Sequence, residues 1–192
     1  MRKIILASRS KARRKLLKQM GLKFIVANSN VKEKRTLSGG CGDLVAGNAL
    51  RKAQDVASRR RSGVVIAADT VVLLGRRIIG KPRNMKDAAR TLRLLSKKPQ
   101  WVYSGIAVID IDAGRTFTDH EKTKVWMYPL TNSQIKGYFR KVSPLDKAGS
   151  FDIQGMGGAF IDRIEGCFYN VVGLPIAKLA RILDKLGIEL FN

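Results

Sequence analysis

Short apolar runs broken by polar residues set the reading of this chain. Residues 64–82 are VVIAADTVVLLGRRIIGKP. One run, 64–68, ends at Asp69 and Thr70. A second, 71–74, turns at Gly75, and a third, Ile78 and Ile79, leads to Gly80, Lys81 and Pro82. Runs this short, rich in Val and Ile and bounded by Gly and Pro, predict buried strands. A carboxylate inside such a run is costly to bury unless it is paired, hydrated or bound to a cation. Asp69 therefore has either a structural partner or a chemical task.

The same reasoning extends along the chain. Strands are predicted over 3–7 and 23–27. Between them lies a helix to about Met20, with Ser10 as N-cap, Leu16, Leu17 and Met20 on its buried side and Gly21 as its stop. Residues 28–42 are polar and glycine-bearing and predict a loop, in which Glu33 stands among Lys32, Lys34 and Arg35. Val45, Ala46, Ala49, Leu50, Ala53, Val56 and Ala57 recur at helical spacing, predicting a helix over 43–60 capped by Asp43. Lys52 sits at the edge of its apolar face, where its stem either follows the core rim or projects into a cleft. Further helices are predicted over 84–96, capped by Asn84, and over 131–141, where Thr131 and Gln134 have capping-box spacing. Strands are predicted over 100–111, 115–128, 159–164 and 169–172, and a last helix from Pro175 to about Leu186. Helices alternate with strands early and hairpins come late. This predicts one mixed α/β domain over residues 1–192 around a central sheet flanked by helices.

Composition narrows the class. With 45% hydrophobic and 27% charged residues in 192, the chain can bury a core of its own. It has no apolar run long enough to span a membrane, and its start, MRKIILASRS, has too short an apolar segment for a signal peptide. Cys41 and Cys167 form no metal or disulfide pattern, which suits a reducing cytoplasm. The 37 basic and 15 acidic residues give a net charge of +22, which attracts anions such as nucleotides or nucleic acid and says nothing of chemistry.

Several motifs are excluded. GRRIIGK, 75–81, has P-loop spacing, but Pro82 follows where a magnesium-binding hydroxyl belongs. Gly155, Gly157 and Gly158 are not spaced as a dinucleotide fingerprint. The single histidine, His120, stands in a predicted strand between Asp119 and Glu121, which argues against a catalytic triad or a zinc site. Any metal would then be a hard cation held by oxygen, such as Mg²⁺ or Mn²⁺. The strand–turn–helix at Ser8, Ser10 and Arg13 suits phosphate, although taken alone it reads first as an ordinary capped helix with a solvated basic face. The glycine-rich segment 145–161, with Lys147 and Gln154, suits either close approach to a ligand or a tight turn. Ser8, Arg13, Glu33, Lys52, Asp69, Lys81 and Gln154 remain. Cations suited to phosphates and two carboxylates suited to a divalent ion support attack by water on a phosphoric anhydride.

At these residues the sequence resembles the Maf family of nucleoside triphosphate pyrophosphatases, from Ile4 to about Leu186. The matching pieces are LASRS at 6–10, Glu33 in its loop, RKA at 51–53, AADTVV at 67–72, GKP at 80–82, DKAGSFDIQG at 146–155 and VVGLP at 171–175. In this order and at these distances they are highly specific. The resemblance implies a mixed α/β fold like that of inosine triphosphatases, with a deep cleft between two lobes, in a cytoplasmic homodimer. It implies hydrolysis of a nucleoside triphosphate to the monophosphate and pyrophosphate with a divalent metal, Mg²⁺ or Mn²⁺. Asp69 matches the family's proton acceptor and Glu33 its second acidic position, the two that would hold the metal. Ser8, Arg13, Lys52 and Lys81 match its phosphate-handling positions, with Lys52 and Lys81 taking part in catalysis.

One branch of the family resembles dTTP/UTP pyrophosphatases and another 7-methyl-GTP pyrophosphatases. Thr70 and Gln154, with Lys147 beside them, match the first. At Ala12 the first branch has Arg and the second a bulky aromatic, so Ala12 matches neither. An amide such as Gln154 donates and accepts towards a pyrimidine edge, which favours dTTP, UTP and modified pyrimidine nucleotides. The alternatives are a 7-methyl-GTP pyrophosphatase and a basic nucleic-acid-binding or septum-regulating protein without catalysis. The second of these is the weaker, because the sequence presents neither an obvious aromatic platform beside a basic run nor a standard DNA-binding motif.

Overall fold

The structure, a computed structural model, describes residues 2–36 and 39–191. Leu37 and Ser38 of the predicted loop 28–42, and Met1 and Asn192 at the ends of the predicted domain, lie outside the described residues. Among the described residues seven strands, β1 (Ile4–Leu6), β2 (Phe24–Val26), β3 (Val64–Leu74), β4 (Arg77–Ile79), β5 (Gln100–Asp110), β6 (Arg115–Met127) and β7 (Ile161–Glu165), join in the order β2-β1-β3-β5-β6-β7, with β4 beside β3, and parallel and antiparallel pairs both occur. The chain divides into two compact units: Met1–Asp69 with Ser104–Glu121 and Gly173–Asn192, and Thr70–Tyr103 with Lys122–Val172.

In the first unit, β1 (Ile4–Leu6) lies parallel to both β2 (Phe24–Val26) and β3 (Val64–Leu74), with Ile5 aligned to Ile25 and Val65. A strand between parallel neighbours is covered on both faces. Accordingly residues 4–7, at and just after β1, are buried without alternation, and residues 64–68 of β3, on which a helix packs, are buried likewise. Helix α1 (Lys11–Gln19) follows β1, with Ser10 as its cap and Leu16 and Leu17 buried. Helix α2 (Cys41–Ala57) lays Ala49, Ala53 and Val56 on Ile5, Ala7, Val65, Ala67 and Ala107. A Cβ at Gly105 of β5 (Gln100–Asp110) would come within 2.4 Å of the Val45 and Ala46 backbone, so only glycine admits the helix this close. Helix α6 (Ile176–Asp184) buries Leu179, Ile182 and Leu183.

Two expectations change here. Helix α2 begins at Cys41, not Asp43. Gly40 is its N-cap, and Asp43 stands in the first turn with its Oδ2 accepting from the Gly40 N–H at 3.3 Å. A glycine in the extended conformation serves as a cap, and the carboxylate reaches back to it. The runs 64–68 and 71–74 form one strand that passes through Asp69 without a break. The charge that reads as an interruption is neutralised where it stands.

In the second unit, the end of β3 turns at Gly75 (φ +57°) into antiparallel β4 (Arg77–Ile79). Helices α3 (Met85–Leu95) and α4 (Asn132–Lys141) place Leu92, Leu95, Ile135 and Tyr138 on Val72, Val102, Val125 and Met127. Their caps are the predicted ones, with Asn84 Oδ1 accepting from Asp87 N and Thr131 Oγ1 from Gln134 N. Strand β6 (Arg115–Met127) pairs antiparallel with β7 (Ile161–Glu165), which starts later than predicted because residues 156–160 form a 3₁₀ turn. The predicted strand 169–172 belongs instead to helix α5 (Phe168–Val172). A run this short does not distinguish helix from strand. The buried side chain of the segment proves to be Asn170, which donates to Val102 O and Thr123 Oγ1. Among the described residues no helix is long and apolar enough to cross a membrane.

Candidate active site

Asn48 and Lys52 stand one turn apart on α2, on the face that meets the sheet, and both are buried. Lys52 Nζ donates to Asp69 Oδ1 at 2.6 Å and to Glu33 Oε1 at 2.7 Å. Asn48 Nδ2 donates to the other Asp69 oxygen, Oδ2, at 2.7 Å. The same amide clamps the preceding loop. Its Nδ2 also donates to Lys34 O at 3.0 Å, and its Oδ1 accepts from Lys34 N at 2.9 Å. This holds Glu33 beside Lys52. Asp69, 3% exposed, thus has both oxygens bonded and its charge matched, which answers the cost of burying it.

The electrostatics follow. Burial alone would raise the Asp69 pKa. The Lys52 ammonium and its hydrogen bond, the field of Arg13 and the Asn48 amide outweigh burial and hold the carboxyl below its ordinary value of 3.8. Asp69 is therefore ionised at neutral pH, as a proton acceptor must be. Arg13 shows the opposite balance. Desolvation lowers its pKa, while Asp69 and Glu33 act to raise it.

Arg13 is fixed from two sides. Its Nε donates to Gly173 O at 2.8 Å and its Nη1 to Ser8 Oγ at 3.3 Å. Ser8 Oγ also accepts from Ser10 N, and Ser10 Oγ accepts from Arg13 N at the start of α1. Ala12 occupies the second position of that helix and is half-buried. The first unit therefore brings together Ser8, Arg13, Glu33, Lys52 and Asp69.

The remaining candidates belong to the second unit. Thr70 follows Asp69 on β3, and Lys81 and Gln154 are exposed in loops. The segment that holds Gln154 is tied to the Lys81 turn, because Gly149 N donates to Gly80 O at 3.2 Å. Lys147 Nζ bonds Asp146 Oδ1 and Ser143 O. Ser150 in this segment has φ +68°, and among the described residues its buried Oγ has no hydrogen-bond partner. Strain of this kind in a non-glycine residue persists only where the surroundings enforce it.

Sequence reasoning passed over two of these residues. Asn48 leaves a signal, a buried-face amide four residues before Lys52 in an otherwise apolar helix stripe. Ser150 leaves none, since its backbone conformation does not show in its residue type.

The donor set permits a test of the expected metal. Among the described residues no three His, Cys, Asp or Glu side chains gather into a cage. Magnesium is commonly held by one or two carboxylates together with substrate phosphates; here the two candidate carboxylates, Glu33 and Asp69, share the Lys52 ammonium, which stands 2.7 Å from Glu33 Oε1 and 2.6 Å from Asp69 Oδ1. Formal charges on Glu33, Asp69, Lys52 and Arg13 cancel. A triphosphate carrying about four negative charges would therefore need further cations.

Residues 3–186 match the family described as Maf-like protein. A dTTP/UTP pyrophosphatase of Methanosarcina barkeri is 43% identical over 193 residues, covering 100% of this chain and 98% of the relative. One of Desulforamulus reducens is 45% identical over 190 residues, 99% of this chain and 100% of the relative. One of Bacillus anthracis is 43% identical over 189 residues, 98% of each. The fold is shared with the Staphylococcus aureus Ham1 protein at a TM-score of 0.55 and 13% identity, over 96% of this chain and 99% of that one. Sequence match and relatives both run nearly end to end, and on them this chain belongs to the Maf family.

Proposed function

We propose that the chain hydrolyses dTTP and UTP to the monophosphate and pyrophosphate, with Asp69 as the proton acceptor for the attacking water. It is a hydrolase acting on phosphoric anhydrides, as its relatives named dTTP/UTP pyrophosphatase are. The observation that supports the roles is the Glu33–Lys52–Asp69–Asn48 network. It keeps one buried carboxylate ionised, with both oxygens oriented, beside a second carboxylate and in the field of the half-buried Arg13. Lys52 and Arg13 supply positive charge for the phosphates, Ser8 orients Arg13, and Lys81 is assigned the leaving pyrophosphate. A divalent cation held by Glu33 and Asp69 would neutralise phosphate charge and polarise the anhydride. Thr70, Gln154 and Ala12 are assigned to recognition of the base.

The test is pyrophosphate release from dTTP, UTP, 7-methyl-GTP and the common nucleotides, with and without Mg²⁺. We expect dTTP and UTP to be cleaved fastest and only with Mg²⁺ present. Asp69→Asn should lose activity about 100-fold or more while its circular dichroism is unchanged. Near-normal turnover in that variant would sink the assignment of the base, and faster cleavage of 7-methyl-GTP would sink the assignment of substrate.

A further inference from the structure

A row of cations and tryptophans occupies one face of the sheet in the second unit. Along β6, Thr123, Val125 and Met127 are buried, so Lys122, Lys124 and Trp126 alternate onto the opposite face. On β5, the neighbouring strand, Trp101 lies between buried Gln100 and Val102 and is half-buried. On β7, Arg163 pairs in register with Trp126. The cations lie over the rings. Lys122 Nζ and Lys124 Nζ are 5.4 and 5.6 Å from the Trp101 ring centre. Lys124 Nζ and Arg163 Cζ are 4.8 and 4.2 Å from that of Trp126. Two carboxylates of β7 border the row. Asp162 is 3.9 Å from Arg163, and Glu165 is in register with Lys124.

We propose that this face binds single-stranded nucleic acid. A cation within about 6 Å of a ring face is attracted to it, so the arrangement keeps two large aromatic surfaces in place. Lysine ammonium groups on flexible stems leave a ring readily for a phosphate, while an arginine plane stacks on ring and base alike. Unpaired bases then take the ring faces and the displaced ammonium groups take the backbone phosphates, which is how sheet surfaces hold single strands. Other occupants fit less well. A second copy would set this basic row against its own like charges, and an acidic peptide would satisfy the cations but leave the rings unused. Duplex would offer phosphates and no free base faces. The chain's net charge of +22 assists any of the polyanions, so the tryptophans are what distinguish a single strand. The inference stands independently of the hydrolytic function.

Trp101 and Trp126 are the two tryptophans of the whole sequence, so tryptophan fluorescence, excited beyond the tyrosine absorption band, reports on this face alone. The full chain is titrated with an oligothymidylate of about 16 nucleotides with hydroxyl ends, at several salt concentrations. The expected result is saturable quenching whose apparent affinity falls steeply with salt. Lys124→Ser and Arg163→Ser should each weaken binding severalfold, and Trp126→Leu about tenfold, with dTTP hydrolysis unchanged in all three. Thermal unfolding checks that each variant is folded, and the wild-type titration decides the matter if one is not. Heparin should bind without comparable quenching. Five results would overturn the proposal: a labelled oligonucleotide that binds without quenching, one that fails to bind, heparin that quenches as strongly, dTTP alone producing the same quench, or sedimentation showing the face closed in a dimer that the oligonucleotide leaves intact.

Discussion

Burial pushes the Asp69 carboxyl above its ordinary value, and an ammonium 2.6 Å away reverses that direction. The sign has consequences for pH. A carboxyl whose folded pKa is depressed adds stability above the unfolded value of 3.8, which is lost as pH falls through the lower folded value. With Asp69 in the proposed role, the acid limb of kcat/KM should lie below the ordinary carboxylate range. Lys52→Met keeps the stem and removes the charge. The cost of burial then weighs more, and the acid limb should move upward, with stability lower by about 3–5 kcal/mol at neutral pH because a buried carboxylate has lost its partner. A pH–rate profile and urea unfolding of that variant check both. An unmoved acid limb would mean that Lys52 does not set the state of Asp69.

Helix α2 is the element that assembles the site. It carries Asn48 and Lys52, clamps the Glu33 loop through Lys34, and rests on the sheet where Gly105 leaves room for it. Gly105→Ala would put a methyl group into the backbone at Val45 and Ala46, which cannot yield as a side-chain tip does. The helix must lift. We expect a loss of about 1–3 kcal/mol in urea unfolding, together with loss of hydrolysis, although no catalytic side chain is altered. Loss of stability with full activity would show that α2 tolerates displacement. Strand β3 makes the complementary contribution. Its two covered faces allow an unbroken apolar run, and Asp69 is carried at its centre only because α2 supplies the countercharge.

At the scale of the molecule, 37 basic against 15 acidic residues create a field that favours any polyanionic substrate. Screening weakens that field, since the Debye length falls from about 10 Å at 0.1 M salt to about 3 Å at 1 M. Raising salt from about 0.05 M to about 0.5 M should lower kcat/KM for dTTP about three- to tenfold, with kcat changed much less. Stopped-assay kinetics across a salt series check this. A salt-independent kcat/KM would show that the charge serves something other than substrate capture.

Much of this was legible in one dimension. Periodicity identified the strand–helix alternation, the caps at Ser10, Asn84 and Thr131, and the helix bearing Lys52, because those signals depend on residues close in sequence. The charge at Asp69 stood out because an apolar run tolerates a carboxylate only with a partner. The identity of that partner was out of reach. Glu33, Asn48, Lys52 and Asp69 lie far apart along the chain, and only the packing of α2 on β3 brings them into contact. Short runs such as 169–172 were ambiguous because helix and strand bury four residues equally well. The tryptophan–lysine row was hidden for a related reason. Along β6 its members alternate with buried residues, and Trp101 arrives from another strand, so no basic-aromatic run appears in the sequence. Residue types determined which chemistry was available, and tertiary packing decided which groups met.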